Sequence, residues 1–444
     1  MGDKDVKRYA ASVIRYLLIF TATLLFLWLL LVLTAFIPND ALRENYEASV
    51  YTYADKDAFE TTDGDRLSSV ADHYADAIWL NVAWQMGKGS PLTASIRTAY
   101  YDGEALGVNA GLYATVVEDV APNTDYTRYW HGTAIPLRLL HLVTDIEGIK
   151  LIGAIVCLVL LLLTLAMLSR RGHWDIALLL ILSLSAVHIW NIRLSVEYQP
   201  AFILALALAP LYLHFERKGD RHLTALSVVG GVTVAFFDFL TTETVTLLLP
   251  LAFVLTVRAK EARLGSAKET TWMLVRCGLG WGLCYALTFA VKWTAASLVT
   301  GGNAWSAAIT SVTERLGHKA ELYGDRPTSV LSSLGANLSM LFGSKTRVDA
   351  SRTVLGLVLA LTVLLSVWYL LRVDKKQPVA AGLLLGLGAL VLLRYLVLSN
   401  HSYLHCFFTY RALVTPIFAL LAAAWLNIRI PLRKGGKISW NLRF

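Results

Sequence analysis

The chain has 444 residues, of which 56% are hydrophobic and only 16% are charged, and its formal net charge is +8. Soluble domains carry about a quarter charged residues, so this composition excludes an ordinary soluble protein. Apolar runs of roughly 20 residues recur, and each is long enough to cross a bilayer as a helix. The positive charge does not indicate nucleic-acid binding, because the basic residues cluster in short connections between apolar runs, as in cytoplasmic loops that face anionic lipid.

The first apolar segment, 14–37, follows a short basic segment, 1–13. It is too long for the apolar region of a signal peptide and lacks a convincing small-residue cleavage site, so we interpret it as a retained transmembrane helix. With the basic clusters as cytoplasmic markers, 1–13 and the basic tail 429–444 both lie in the cytoplasm. The sequence therefore predicts an all-α polytopic membrane protein with about ten transmembrane helices, at approximately 14–37, 148–168, 174–194, 199–215, 223–240, 244–258, 271–298, 353–371, 379–399 and 407–428.

This topology places two long segments on the extracytoplasmic side. The first, 38–147, separates helix 1 from helices 2–7, which lie within 148–298. The second, 299–352, precedes helices 8–10, which lie within 353–428. The first segment is rich in acidic and aromatic residues, and we expect the chemistry of the protein to be concentrated there.

Three short helices are predicted outside the membrane spans. Arg66 to Met86 has apolar residues at spacings of three and four, which predicts an amphipathic helix. Asp72 and Asp76 stand four apart and would share another face of that helix. Pro136–Val143 is typical of a short interfacial helix, and a further helix is predicted around Ala304–Arg315.

Many ionisable residues fall at the extracytoplasmic ends of the predicted crossings. Charges at membrane depth are costly and usually face a cavity or one another. Internal ion pairing, for example of Arg193 with Glu197, accounts for single residues but does not require the whole set to lie at one level. The set comprises His131, Arg138, Arg193, Glu197, Asp238, Glu243, Lys292, Arg394, His401, His405 and Arg411.

The acids of the first loop include our candidates for a catalytic base. Asp76, with Asp72 beside it, is predicted as the base or its support, because a carboxylate can remove a proton from an acceptor hydroxyl. Two other interpretations stay open. The two acids form a solvated helix face, or they hold a divalent metal ion, and we name no cofactor beyond that ion.

The cations of the set suit a phosphate, because the forked donors of arginine match its oxygens. We take Arg138, Arg193 and Arg411 as candidates for that role. Tyr129 and Trp130 form either a sugar-stacking platform, with His131 as a hydrogen-bonding partner, or an interfacial aromatic belt. The other residues expected to shape a sugar or acceptor site are Asp238, Glu243, His401 and His405.

The plan of the chain is one crossing, a long acidic external loop and then many crossings, and it resembles the GT-C superfamily of integral-membrane glycosyltransferases. Locally, Asp72–Ile78, Tyr129–Gly132, Phe237–Thr241 and His405–Arg411 look like motifs of bacterial polytopic proteins tied to cell-surface polysaccharide. The resemblance implies a polyprenyl-phosphate sugar donor, inversion at the anomeric carbon and a catalytic Asp or Glu in the first external loop. Because the acidic pair lies well beyond the first crossing, whereas Asp40 is adjacent to it, the identity of the base stays open.

The sequence thus predicts an enzyme that moves a sugar from a polyprenyl-phosphate donor to a cell-envelope glycan or glycolipid acceptor. We expect it in the cytoplasmic membrane, with its active site on the extracytoplasmic face. A transporter or flippase of lipid-linked sugars is the main alternative, but such proteins place polar groups at mid-membrane and often contain repeats. A non-enzymatic partner in polysaccharide assembly, with the long loop as a binding module, is the second alternative.

Overall fold

A computed structural model describes residues 3–103, 107–316, 329–347, 349–374, 377–427, 432–434 and 437–439. Within these residues the fold is a bundle of helices joined to a helical loop domain, with three two-stranded antiparallel sheets. Most of the predicted cytoplasmic tail, 429–444, falls outside the described residues.

Six helices are long and apolar enough to cross a membrane, and they make the chain a multi-pass membrane protein. A helix also occupies each of the other four predicted positions, but none of these meets the same criterion among the described residues. The figure of ten crossings therefore stays a prediction. The six candidate spans overlap α1 (Asp3–Ala35), α7 (Ile146–Arg170), α9 (Pro200–Phe215), α12 (Ala267–Thr300), α16 (Pro378–Val397) and α19 (Val414–Trp425). The other four are α8 (Trp174–Ala186), α10 (Asp220–Phe237), α11 (Val245–Lys260) and α15 (Ala350–Asp374).

The segment between α1 and α7 folds as a compact domain, which we call the loop domain. The ends of the bundle helices that lie next to this domain are called the loop side of the bundle. Short hairpins tie its helices together, with Phe59 opposite Asp72 in one and Ala99 opposite Asp125 in the other. The elements of the loop domain are α2 (Arg43–Ala54), β1 (Phe59–Thr61), β2 (Val70–Asp72), α3 (His73–Gln85), α4 (Pro91–Arg97), β3 (Ala99–Tyr100), α5 (Val108–Val116), β4 (Thr124–Asp125) and α6 (Ala134–Leu140).

The amphipathic helix predicted over Arg66–Met86 is wrong in extent and in kind. Its first residues form a 3-10 turn, Leu67–Ser69, and the strand β2, so that the helix begins only at His73. Every residue of α3 except Tyr74 is buried, because its second face is also apolar and packs inside the loop domain. By contrast, the short helix α6 and the helix over Ala304–Arg315 are confirmed.

Two apolar cores hold the molecule together. One joins α8, α9, α11, α16 and α19, and the other joins the loop domain to α1, α10 and α12. The α10–α12 contact requires a glycine, because a Cβ on Gly231 would lie 2.3 Å from the backbone oxygen of Trp281. The remaining elements are α13 (Ala304–Arg315), α14 (Val330–Met340), α17 (Ser399–Leu404), α18 (Cys406–Thr409), β5 (Leu432–Lys434) and β6 (Lys437–Ser439).

Candidate functional site

A small cavity of about 170 Å³, which we call the polar pocket, lies between the loop domain and the loop side of the bundle. Pockets for drug-sized ligands measure roughly 300–1,000 Å³, so this one suits a single small polar group. Aromatic rings from both sides line it, including those of Trp79, Tyr126, Tyr129, Phe239 and Phe408. Its carboxylate, guanidinium and imidazole side chains are Asp72, Glu197, Arg128, Arg315, His401 and His405.

Two carboxylates enter the polar pocket from opposite parts of the fold. Asp72 ends β2 and caps α3, where its Oδ1 accepts a hydrogen bond of 2.8 Å from the backbone N–H of Ala75. Glu197 lies in the 3-10 turn Val196–Tyr198 just before α9. The two side chains share a hydrogen bond, and they are only 3% and 7% exposed.

Burial raises the pKa of the Asp72 carboxyl to about 7, although the hydrogen bond from Ala75 opposes the shift. The negative charge of Asp76 adds to the rise. A carboxylate with a pKa near the working pH is well suited to general-base catalysis, because it is ionised yet still basic enough to accept a proton.

Two arginines stand in the polar pocket across from this pair, and no carboxylate of the described residues lies within ion-pair distance of either. Arg315 donates to the hydroxyl of Tyr129 at 2.9 Å, and Arg128 donates to Oγ of Ser311 at 3.0 Å. Arg128 also lies over the ring of Tyr126, with its Cζ 4.7 Å from the centroid. Two guanidinium groups held by neutral partners keep their positive charge available for an anion.

An apolar groove of about 500 Å³, which we call the α12–α13 groove, runs along the bundle and ends at these arginines. Its walls are rows of apolar and aromatic side chains from α12, between Leu283 and Trp293, and from α13, including Trp305. Ten residues of helix rise ~15 Å, which is about half of the ~30 Å hydrocarbon core. Arg128, Tyr129 and Arg315 line both the groove and the polar pocket, so an elongated apolar ligand in the groove would bring its head group into the pocket.

The histidine pair forms one wall of the polar pocket, and the predicted proximity of its members is confirmed. The rings of His401 and His405 lie 4.7 Å apart, and Nε2 of His401 donates to the carbonyl of Leu240 at 3.0 Å. Burial lowers the pKa of His401 well below its usual value and that of His405 to about 3. Both rings are therefore neutral at ordinary pH and act as hydrogen-bonding groups rather than as cations.

Asp76, the first candidate for the base, lies outside the polar pocket. Its side chain is fully buried and carries four partners, so the interpretation of Asp72 and Asp76 as a solvated helix face is wrong. Oδ1 accepts from Ser195 Oγ and from the backbone N–H of Val196, both at 2.8 Å, and Oδ2 accepts from the Tyr53 hydroxyl at 2.8 Å. Nζ of Lys150 lies 3.2 Å from Oδ2. With both oxygens occupied, Asp76 joins α3 to α7 and fixes the turn that carries Glu197.

The three arginines predicted to bind phosphate also lie away from the polar pocket. Arg138 is fully buried and donates to the carbonyls of Thr34, Ile37 and Ala83, so it closes the end of α1. Its position in the sequence gave no sign of these acceptors.

Arg411 is buried between two rings, with its Cζ 4.6 Å from the centroid of Tyr198 and 5.1 Å from that of Tyr410. It donates to the carbonyls of Phe407 and Ser68, both at 3.3 Å. Arg193 is exposed and lies in the 3-10 turn that precedes α9. None of the three faces the arginine pair at the groove.

The predicted platform Tyr129–Trp130–His131 is divided by the fold. Tyr129 lines the polar pocket and stacks on Phe239 with ring centroids 4.3 Å apart. Trp130 faces the bundle, where its Nε1 donates to the carbonyl of Thr288 at 2.8 Å. His131 is buried behind Phe239 with a left-handed φ of 54°, and burial together with the charge of Lys292 lowers its pKa well below the usual value.

Asp238 and Glu243 hold the sharp turn between α10 and α11 rather than lining the polar pocket. Asp238 accepts from the backbone N–H of Thr241 at 2.9 Å and from its hydroxyl. Glu243 pairs with Arg394 through two hydrogen bonds of 2.6 and 2.9 Å. Arg394 also donates to the carbonyl of Leu240 at 2.6 Å, so the turn that presents Phe239 to the pocket is rigid.

The fold therefore assigns three site residues for which the sequence offered no specific role. Glu197 appeared only as an ion-pair partner, and neither Arg128 nor Arg315 was among the phosphate candidates. Arg128 adjoins Tyr129 in the sequence, and Arg315 ends a correctly predicted helix, so both lay beside recognised features. In the part of the chain that the structure describes, no three His, Cys, Asp or Glu side chains form a group that could hold a metal ion.

Comparisons of this chain with models of known families, with curated proteins and with solved structures find no match. The class of the protein therefore follows from its own features, which are those of a multi-pass helical membrane protein with a buried polar pocket at the head of an apolar groove.

Proposed function

We propose that the chain is a glycosyltransferase that moves a sugar from a polyprenyl-phosphate donor to a cell-envelope glycan or glycolipid acceptor. The observation that carries this proposal is the shared wall of the α12–α13 groove and the polar pocket, formed by Arg128, Tyr129 and Arg315. A long apolar chain fits the groove, a phosphate fits the two arginines, and a sugar fits the small aromatic pocket beyond them. The resemblance to the GT-C superfamily points to the same donor.

In this proposal each wall of the polar pocket has one role. The arginines bind the phosphate and stabilise the charge that grows on it as the bond to the anomeric carbon breaks. Aromatic rings such as Tyr129 and Trp79 contact the sugar. Asp72 accepts the proton of the acceptor hydroxyl as its oxygen bonds to the anomeric carbon, and polyprenyl phosphate leaves from the opposite face. The configuration at that carbon is therefore inverted.

The proposal includes the orientation of the chain in the membrane. With ten crossings and cytoplasmic termini, the loop domain and the polar pocket lie on the extracytoplasmic face of the cytoplasmic membrane. Nucleotide sugars are not expected there, whereas lipid-linked sugars reach this face within the bilayer.

The test is transfer by the purified protein in lipid nanodiscs, with a radiolabelled polyprenyl-phosphate sugar and envelope glycolipid as acceptor. Arg315→Gln and Arg128→Gln remove the proposed phosphate contacts, and we expect each to lower kcat/KM by about a hundredfold, the scale of one lost charge-stabilising donor. Arg193→Gln is the matched control, because Arg193 is exposed and outside the pocket.

Release of polyprenyl phosphate together with labelled acceptor supports the enzyme. Movement of intact donor across a liposome membrane without bond breakage would instead identify a transporter. Equal donor binding by wild type and by both pocket variants would contradict the proposed phosphate site.

A further inference from the structure

We propose that Glu197 stays protonated in the resting protein and donates its proton in a hydrogen bond to the ionised carboxylate of Asp72. The two side chains then form an acid pair that holds a single proton. The use of this pair in catalysis rests on the proposed function, but the protonation itself does not.

The surroundings of the two carboxyls make them unequal. Asp72 caps α3 and accepts the Ala75 N–H, and the positive end of a helix dipole favours an ionised group at that position. No N–H or O–H donor of the described residues is hydrogen-bonded to the Glu197 carboxyl. Within the described residues, that carboxyl is hydrogen-bonded to the Asp72 side chain, so Glu197 is the member that has to supply the hydrogen.

The charges around the pair also require a proton. After Asp72, the charged groups that act most strongly on Glu197 are Asp238 and Asp76, and both are acids. Lys150 neutralises Asp76, but no cation in the described part of the chain lies within ion-pair distance of Glu197. Two ionised carboxylates in contact in a buried site repel strongly, and one shared proton removes that repulsion. The titratable and charged groups that face the pair are Tyr53, Asp76, Lys150, Tyr129, Tyr198, Asp238 and Arg411, with Arg128, Arg315, His401 and His405 across the polar pocket.

Hydrogen bonds hold the turn that carries Glu197, and they keep its side chain next to Asp72. The backbone N–H of Glu197 donates to Ser195 Oγ at 3.1 Å, and Ser195 in turn donates to Asp76 at 2.8 Å. Asp76 is thus a positioning residue for Glu197 rather than a second base. This arrangement explains why a fully engaged carboxylate lies one helical turn from the carboxylate that lines the pocket.

During transfer the pair begins with one proton and gains a second. The acceptor O–H bond breaks, its proton passes to Asp72, and the new glycosidic bond forms as the bond to the donor phosphate breaks. Both carboxyls are then protonated, and one proton has to leave to solvent before the next turnover. Glu197→Gln keeps an N–H group that can donate to Asp72. Asp72→Asn removes the carboxylate that accepts the proton.

The experiment is infrared spectroscopy of the purified protein in nanodiscs near neutral pH, without substrate. We expect a C=O stretching band from a protonated carboxyl group that shifts in D₂O and is absent in Glu197→Gln. Glu147→Gln serves as the control, because the Glu147 side chain is 60% exposed. A band that survives Glu197→Gln but is lost in Asp238→Asn, or the absence of any such band in wild type, would overturn the proposal.

Asp72→Asn supplies a second route if Glu197→Gln does not fold. The band then has to move, because the protonated carboxyl loses its ionised partner, and an unmoved band contradicts the pair. In the transfer assay we expect Glu197→Gln to stay within about tenfold of wild type and Asp72→Asn to lose at least a hundredfold. A wild-type protein that shows the band but transfers no sugar would refute the proposed function and leave the acid pair standing.

Discussion

The most demanding prediction concerns Asp76, for which sequence and structure give different roles. The sequence predicts that Asp76→Asn abolishes transfer and leaves folding intact. In the structure the carboxylate is buried against Lys150 and accepts from Tyr53, Ser195 and the Val196 backbone. We therefore expect Asp76→Asn to destabilise the protein, because it leaves the buried Lys150 ammonium without its buried counter-ion.

The size of the effect follows from the surroundings of the pair. Removing one member of a buried ion pair costs about 3–5 kcal/mol. Lys150 keeps a second carboxylate, Glu147, at 3.0 Å, and an asparagine can still accept some of the other hydrogen bonds. We therefore place the loss near the lower limit, at about 3 kcal/mol. Lys150→Met alone should cost a similar amount, because it leaves the Asp76 charge unpaired.

The assay is reversible unfolding in mixed detergent micelles for wild type, Asp76→Asn, Lys150→Met and the double variant. Replacing both members removes the unpaired charge, so the two single losses should not add. With a coupling free energy of about 2 kcal/mol, the double variant should lose about 4 kcal/mol, whereas the two single losses sum to about 6 kcal/mol. If Asp76→Asn unfolds like wild type while transfer is lost, the carboxylate is catalytic and the structural argument fails.

Three further predictions concern the turn at Gly132, the arginine at the end of α1 and the base. Gly132→Ala should destabilise the protein by up to about 3 kcal/mol, because the added Cβ would lie 2.6 Å from the carbonyl oxygen of Phe236. Gly278→Ala is the control in the same unfolding assay, since nothing lies within 4 Å of its Cβ. Equal unfolding midpoints for the two variants would contradict the packing at Gly132. Arg138→Gln should lower the thermal midpoint far more than Arg193→Gln, because it leaves buried carbonyls without donors, and equal shifts would count against the assignment. The transfer rate should rise about tenfold per pH unit at acid pH and level off above about pH 7. The reason is that the pKa of Asp72 is raised to about 7 and only its ionised form accepts a proton. A rate that stays constant from about pH 5 to about pH 8 would exclude Asp72 as the base.

Local patterns in the sequence were sufficient for several elements. The apolar runs located every long helix, because a segment that crosses a bilayer has to be apolar over roughly 20 residues whatever it packs against. The helix Ala304–Arg315 was placed to the residue, and the proximity of His401 and His405 followed from their helical spacing. Such features depend on neighbours within a few positions along the chain.

The helix α3 shows where local patterns stopped being sufficient. Its spacing of apolar residues predicted one buried face, but whether the other face meets water or protein depends on α2, α5 and α6, which come from elsewhere in the loop domain. The same limit applies to the two acids. Sequence spacing makes both Asp72 and Asp76 candidates for a catalytic role. The tertiary structure separates them, because Asp72 lines the polar pocket whereas Lys150, Tyr53 and the turn before α9 occupy the carboxylate of Asp76.

By itself, the sequence determined a multi-pass helical protein with an acidic loop and a set of ionisable groups near one end of the helices. The tertiary structure decided which of these groups meet. Glu197, Arg128 and Arg315 come from segments far apart in the chain. They line the pocket because the turn before α9 and the helix α13 each contact the loop domain. Asp76, Arg138 and Arg411 are instead occupied by buried partners. The physical reason is that the cost of burying a charge depends on its contacts in three dimensions, and sequence distance does not record those contacts.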